Sequence, residues 1–200
     1  MSHPNGPLWP SEPPRVAPSP IEQMRPEWVR TLERIPGAGL KGRYFPAHVL
    51  GCLMQSPEVF GPFLEYWVAS KKDLSFSVRE QELVILRMAV KYRSEYVWKH
   101  HIPVAREFGI TEPEIHALRE TVPPATFIPR ERMILLLIDS LFAEGSIPTD
   151  LWSRASALLT PREVVDLIHL FSQYVLFALT NNALQVAVEP ALGELPGLGA

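Results

Sequence analysis

The chain has 200 residues, a hydrophobic fraction of 46%, a net charge of -3 and a pI near 6.1. These values suit one compact domain with a tail and a buried core, and the lack of a basic stripe argues against nucleic acid as a partner. The single cysteine, Cys52, leaves no internal disulfide and no CxxC or Cys/His zinc spacing, which fits a reducing cytoplasm. The N-terminus lacks the apolar segment of a secretory signal. The longest apolar stretch, 164–179, contains Asp166, His169, Ser172 and Gln173 and reads as too short and too polar to span a membrane.

Residues 1–26 hold eight of the 21 prolines, which deprive helix and sheet of backbone donors. They read as a disordered or extended arm, either an unstructured leader or an arm that wraps a neighbouring subunit. Ile21, Met24, Trp28, Val29 and Leu32 then recur at helical spacing, and 36–42 reads as a loop. From about residue 44 the period is helical almost throughout, predicting helices over 44–55 and 57–71. Ser77 with Glu80 predicts a capping box for a helix over 78–92. A helix over 94–108 stops at Gly109, and Thr111 with Glu114 caps a short one ending near 120. After a loop at 122–129 come helices over 130–143 and 148–158. Thr160, Pro161 and Glu163 open a long helix to about 179, with 180–188 extending or restarting it. That helix is apolar nearly all round and must be buried, part of it against another subunit. The expected organisation is an arm over 1–26, an all-α domain over 27–190 and a flexible tail over 191–200.

Chemistry concentrates in 80–109. Glu82 lies one turn into its helix beside the apolar positions Leu83, Leu86 and Val90. It reads either as half of an acid–base pair or as a surface carboxylate paired with Arg79 or Arg87. On the next helix Val97, His101, Val104, Ala105 and Phe108 share one face at i, i+4, i+7, i+8 and i+11. His101 therefore points inward, and His100 is rotated about 100° away. Pro103 removes a hydrogen bond to the Lys99 carbonyl and should bend the helix beside His101. Tyr96 could donate a hydrogen bond and Trp98 could wall a pocket; the structural alternative is burial of both rings, with Glu95 capping the helix. His169, on the apolar helix, reads as a buried hydrogen-bonded histidine, and Asn181 and Asn182 as helix terminators. A metal site of Glu82, His100 and His101 is disfavoured because adjacent histidines on a helix diverge.

The run QELVILRMAVKYRSEYVWKHHIPVAREFGITEPEI resembles the core motif of the carboxymuconolactone decarboxylase family, which includes the alkylhydroperoxidase-D-like proteins. The likeness runs from roughly 43 to 190 and takes in TPREVVDLIHLFSQYVLFALTNNALQVAVEP. Glu82, Ser94, Glu95, Tyr96, Trp98, His101 and the 106–109 turn fall at the family's usual spacing. The resemblance implies an all-α helical bundle of that type and oligomers, commonly trimers or hexamers, so a homo-oligomer (dimer, trimer or hexamer) is expected. Hydroperoxidase members carry a CxxC pair served by a glutamate and a histidine. Here Ser94 and Val97 stand at the cysteine positions while Glu82 and His101 match the relay, so thiol peroxidase chemistry is not expected. Decarboxylase members act on a carboxylated lactone without a cofactor, although their chains lack extensions as long as those here.

The expected function is a cofactor-free acid–base enzyme on a small lactone or carboxylated carbonyl substrate, with no metal, nucleic acid or membrane involved. His101, Glu82 and Tyr96 would be catalytic, and Trp98, Glu95 and Ser94 would bind substrate. The competing expectation is a non-catalytic oligomeric scaffold or small-ligand binder that has lost the peroxidase cysteines.

Overall fold

A computed structural model describes residues 14–35, 45–123 and 125–198. All regular structure among them is helical: α1 (Pro26–Leu32), α2 (Ala47–Leu53), α3 (Pro57–Lys72), α4 (Val78–Lys91), α5 (Glu95–Glu107), α6 (Glu112–Ala117), α7 (Pro129–Glu144), α8 (Thr149–Ala155) and α9 (Pro161–Leu184), with single 3-10 turns at Ile21–Gln23 and Pro190–Leu192. The expected capping boxes form at Ser77/Glu80, Thr111/Glu114 and Thr160/Glu163. Glu163 is held at about 2 by the Thr160 backbone N–H and by Arg130. Gly109 and Gly145 take the left-handed conformation just past α5 and α7, where a side chain would be strained.

The central helix is α4, whose residues from Gln81 to Val90 are all buried and which packs on α5, α7 and α9. The sequence pointed to burial of the last long helix, part of it against another subunit. α9 runs unbroken to Leu184, with Val165, Ile168, Leu176 and Leu179 on an exposed stripe. Its most apolar 18-residue window has a mean hydropathy of 1.3, enough by length and composition to cross a membrane. Here its other face packs on α2, α3, α4 and α5, and among its polar residues Asp166 accepts from Ser75 and Gln173 Oε1 from Ser70. His169, expected buried, is exposed and meets the Tyr66 hydroxyl at 2.9 Å.

Both terminal segments are fastened to the bundle. In the proline-rich arm, residues 14–20 lie along α2 and the end of α9, with Arg15 N–H donating to Leu184 and Ser19 N–H to the Gly51 carbonyl. A Cβ at Gly51 would run into the backbone of Ser19 and the ring of Pro18, so glycine lets the arm sit flush on α2. Residues 1–13 lie outside the described residues. The 191–200 tail, expected to be flexible, is packed through Leu198. Leu192 and Leu198 are buried, and the Trp98 indole N–H, Lys99 and Arg119 donate to the carbonyls of Pro196, Gly193 and Gly197. Glycine and proline loosened the local pattern, but the two leucines find apolar cover on the bundle.

Candidate active site

Glu82 is 2% exposed, and its Oε2 lies 2.7 Å from His101 Nδ1. Its helical neighbours leave it free for this contact. Arg79 binds Glu114 and Glu131, and Arg87 binds Asp139 through Nε and Nη2 at 2.8 and 2.6 Å. The surface pairing that would have made Glu82 ordinary is thereby absent: each arginine has other carboxylates. A carboxylate on Nδ1 makes that nitrogen the donor and leaves Nε2 to face the pocket as an acceptor.

His101 is pulled below its ordinary pKa, first by burial and also by the Lys71 and His100 charges, against an opposing pull from Glu82. The ring is therefore neutral around pH 7. Lys71 lies with its ammonium 5.1 Å from the centre of the Tyr174 ring. Burial works against its charge, but Tyr174 and Glu82 outweigh that and raise its pKa. Tyr174 packs edge-on against His101 at 5.1 Å, and burial raises its hydroxyl pKa.

The pocket lies among α2, α3, α5 and α9 and offers about 280 Å³, part of it open to solvent. Val49, Trp67, His100, His101, Tyr174 and Asn181 form most of its wall. That figure takes in open solvent, so the enclosed part is well below an ordinary ligand site of about 300 Å³.

His100 belongs to a second cluster. Its ring stacks on Tyr96 at 4.1 Å, its Nδ1 donates to the Tyr96 carbonyl at 2.8 Å, and its Nε2 sits 2.8 Å from Glu189 Oε2, as an ion-pair contact off the N–H axis. Glu189 Oε1 accepts from the Tyr96 hydroxyl at 2.7 Å and the His48 N–H at 2.9 Å. Burial would raise the Glu189 pKa, but the His100 contact, the His48 N–H and the Tyr96 hydroxyl outweigh it and hold it low. Burial and Glu189 push the Tyr96 phenol well up. The adjacent histidines diverge as their spacing required, each to its own carboxylate.

Of the residues expected to act together, His101 and Tyr96 line the pocket; Glu82 stands behind His101, and the Tyr96 hydroxyl is bound to Glu189. Trp98, Glu95 and Ser94 stand elsewhere. Trp98 is fully buried under the C-terminal segment, with Arg119 over its ring. Glu95 accepts the Leu198 N–H at 2.9 Å, and Ser94 is buried at the N-terminus of α5. These three hold the α5 end of the bundle together and do not line this pocket. Phe108, placed on the inward face by spacing, is 43% exposed because α5 ends at Glu107 and turns through Gly109. Sequence reasoning missed Glu189, Lys71, Tyr174 and Asn181. The i, i+3, i+7 spacing of Tyr174, Phe177 and Asn181 on α9 was a usable signal; Glu189, in a non-helical segment, had none.

Residues 57–139, from α3 into α7, match the carboxymuconolactone decarboxylase family. This is narrower than the 43–190 suggested by inspection of the sequence. No curated protein sequence matches. Among solved structures, an uncharacterized peroxidase-related protein from Silicibacter sp. TM1040 superposes with a TM-score of 0.73 at 13% identity, covering 93% of this chain and 97% of that one. A peroxidase-related protein from Ralstonia eutropha JMP134, described as an alkylhydroperoxidase AhpD core, gives 0.73 at 16% identity, covering 91% and 96%. The debrominase Bmp8, solved with 2,3,4-tribromopyrrole, gives 0.70 at 11% identity, covering 91% and 95%. These likenesses show the shared fold. With the sequence match over α3 to α7, they show that part of this chain is similar to the carboxymuconolactone decarboxylase family and that the chain has the all-α fold of the AhpD-like structures.

Proposed function

We propose that the chain is an acid–base enzyme acting on a small carbonyl compound, a lactone or a carboxylated carbonyl. The observation that carries this reading is the 2.7 Å contact between buried Glu82 and the pocket-lining His101. A neutral imidazole oriented by a carboxylate can take a proton at Nε2 from a carbon next to a carbonyl, and can return it there. Lys71 and Tyr174, beside the ring, supply positive charge and a donor toward negative charge developing on oxygen. Decarboxylation of a vinylogous β-keto acid needs the same elements, an electron sink and a proton returned to carbon.

Thiol peroxidase chemistry is not part of the proposal. Ser94 and Val97 occupy the positions at which the hydroperoxidase members carry cysteines. Cys52 is buried in α2 with its thiol pKa pushed up by burial, the opposite of a reactive thiolate. The same loss supports the second reading, a non-catalytic ligand binder. The test is proton–deuterium exchange and turnover, followed by NMR in D2O, across a panel of small lactones, β-keto acids and cyclic ketones. Activity that falls about 10²–10⁴-fold in His101→Ala supports the enzyme reading, the span expected for a lost general base. Ligand binding without exchange or turnover across the panel favours the binder. We also propose that a second copy of the chain covers the exposed α9 stripe.

A further inference from the structure

Asn181 was read as a helix terminator, but its side chain has no such duty. The turn after α9 is closed by its backbone, whose carbonyl accepts the N–H groups of Gln185 and Val186. The side chain is 3% exposed, lies on the pocket face of α9 one turn beyond Phe177, and helps to line the pocket. Among the described residues neither its Nδ2 nor its Oδ1 has a hydrogen-bond partner. A buried primary amide with both ends unmet is costly, and native proteins rarely keep one without a use. Adjoining it are the apolar and aromatic surfaces of Trp67, Tyr174 and Phe177 and the free Nε2 of His101.

The charges nearby define what can sit against this amide. Glu82 stands behind His101, and Glu189, held ionised, stands behind His100 and Tyr96. The ammonium of Lys71 is shared between Tyr174 and Glu82. An anionic group at Asn181 would use only the N–H end of the amide and leave its carbonyl oxygen unmet, with Glu82 and Glu189 standing behind the neighbouring histidines. An uncharged group with an acceptor beside a donor would satisfy both ends of the amide at once.

We propose that the pocket selects a small, flat, uncharged molecule carrying a carbonyl next to an N–H or O–H group, a cyclic amide or its enol-like equivalent. Its edge is paired with the Asn181 amide and its ring lies among Trp67, Tyr174 and Phe177. This rests on the site identified above but not on its catalytic reading, because recognition requires no reaction. It narrows the substrate class to the uncharged form.

The experiment is binding by calorimetry and ligand-observed NMR with three probes: 2-pyridone, N-methyl-2-pyridone, which lacks the donor, and benzoate, an anion of similar size. The expected result is that 2-pyridone binds at least about five-fold more tightly than either of the others, the scale of one or two hydrogen bonds. Asn181→Leu should abolish the preference for 2-pyridone over its N-methyl form. Asn181→Asp, nearly isosteric, serves if the leucine variant does not fold, and should weaken 2-pyridone most. Benzoate binding more tightly than 2-pyridone, an undiminished preference in both Asn181 variants, or no binding of 2-pyridone in the millimolar range would each overturn the proposal. Failure of Asn181 recognition while the panel above still shows His101-dependent exchange would count against this inference alone. The reverse pattern would count against the catalytic reading alone.

Discussion

Replacing Arg87 with methionine should destabilise the protein severely although the residue touches no ligand. Arg87 is 1% exposed, and its guanidinium makes five hydrogen bonds: two to Asp139 and one each to the carbonyls of Leu118, Glu120 and Thr121. An exposed pair would be worth about 0–1 kcal/mol, but removing one partner of a buried pair costs about 3–5 kcal/mol. Asp139 keeps the Lys91 ammonium at 2.9 Å and is 19% exposed, so it is not wholly orphaned. The three carbonyls have no such substitute, which keeps the cost within that range. For a chain of this length about 2–4 °C is lost per kcal/mol, so the melting temperature should drop by about 6–20 °C. Arg87→Lys should recover little, since one ammonium cannot fork to Asp139 and reach the carbonyls. The assay is thermal unfolding by circular dichroism with matched buffers. A fall of under 2 °C in Arg87→Met would refute the claim that this buried network holds α4, and with it Glu82, in place.

Three further outcomes follow. Leu198→Ala should lower the melting temperature by about 4–12 °C and red-shift tryptophan emission as Trp98 is uncovered, using about 2–3 kcal/mol for a buried leucine near a chain end and the same conversion; no change in either signal would mean the tail is loose after all. His101 has a folded pKa below its ordinary 6.5, so the unfolded chain binds the extra proton first. Its contribution to stability should be complete above about pH 6.5 and be lost as pH falls below it toward the folded pKa, and chemical denaturation of His101→Gln should show less of this loss. Light scattering at micromolar concentration should report a homo-oligomer, and Val165→Glu with Leu179→Glu should dissociate it; a stable monomer before substitution would contradict the covered α9 stripe.

The helices were legible because their signals are local. Three capping boxes and two left-handed glycines mark helix ends without reference to any partner. The Glu82–His101 pair was legible in part, since the inward face of α5 could be read from spacing, but the spacing could not tell that Arg79 and Arg87 would be claimed by Glu131, Glu114 and Asp139 from α6 and α7. The unbroken course of α9 was obscured by Thr180, Asn181 and Asn182, poor helix formers that tertiary packing overrides. The tail failed for the opposite reason. ALGELPGLGA has the composition of a loose end, and its order comes from contacts to residues about a hundred positions away. Glu189 was invisible on the same ground, because a carboxylate after a helix end announces nothing until the fold sets it against His100.

The central claim is that His101 is a neutral base oriented by Glu82. Its most direct test is the nitrogen chemical shifts of the His101 ring at pH 7, assigned by comparison with His101→Gln. The account predicts a neutral imidazole with the proton on Nδ1, giving way to altered tautomer populations in Glu82→Gln. An imidazolium at pH 7, or a proton resting on Nε2, would contradict it.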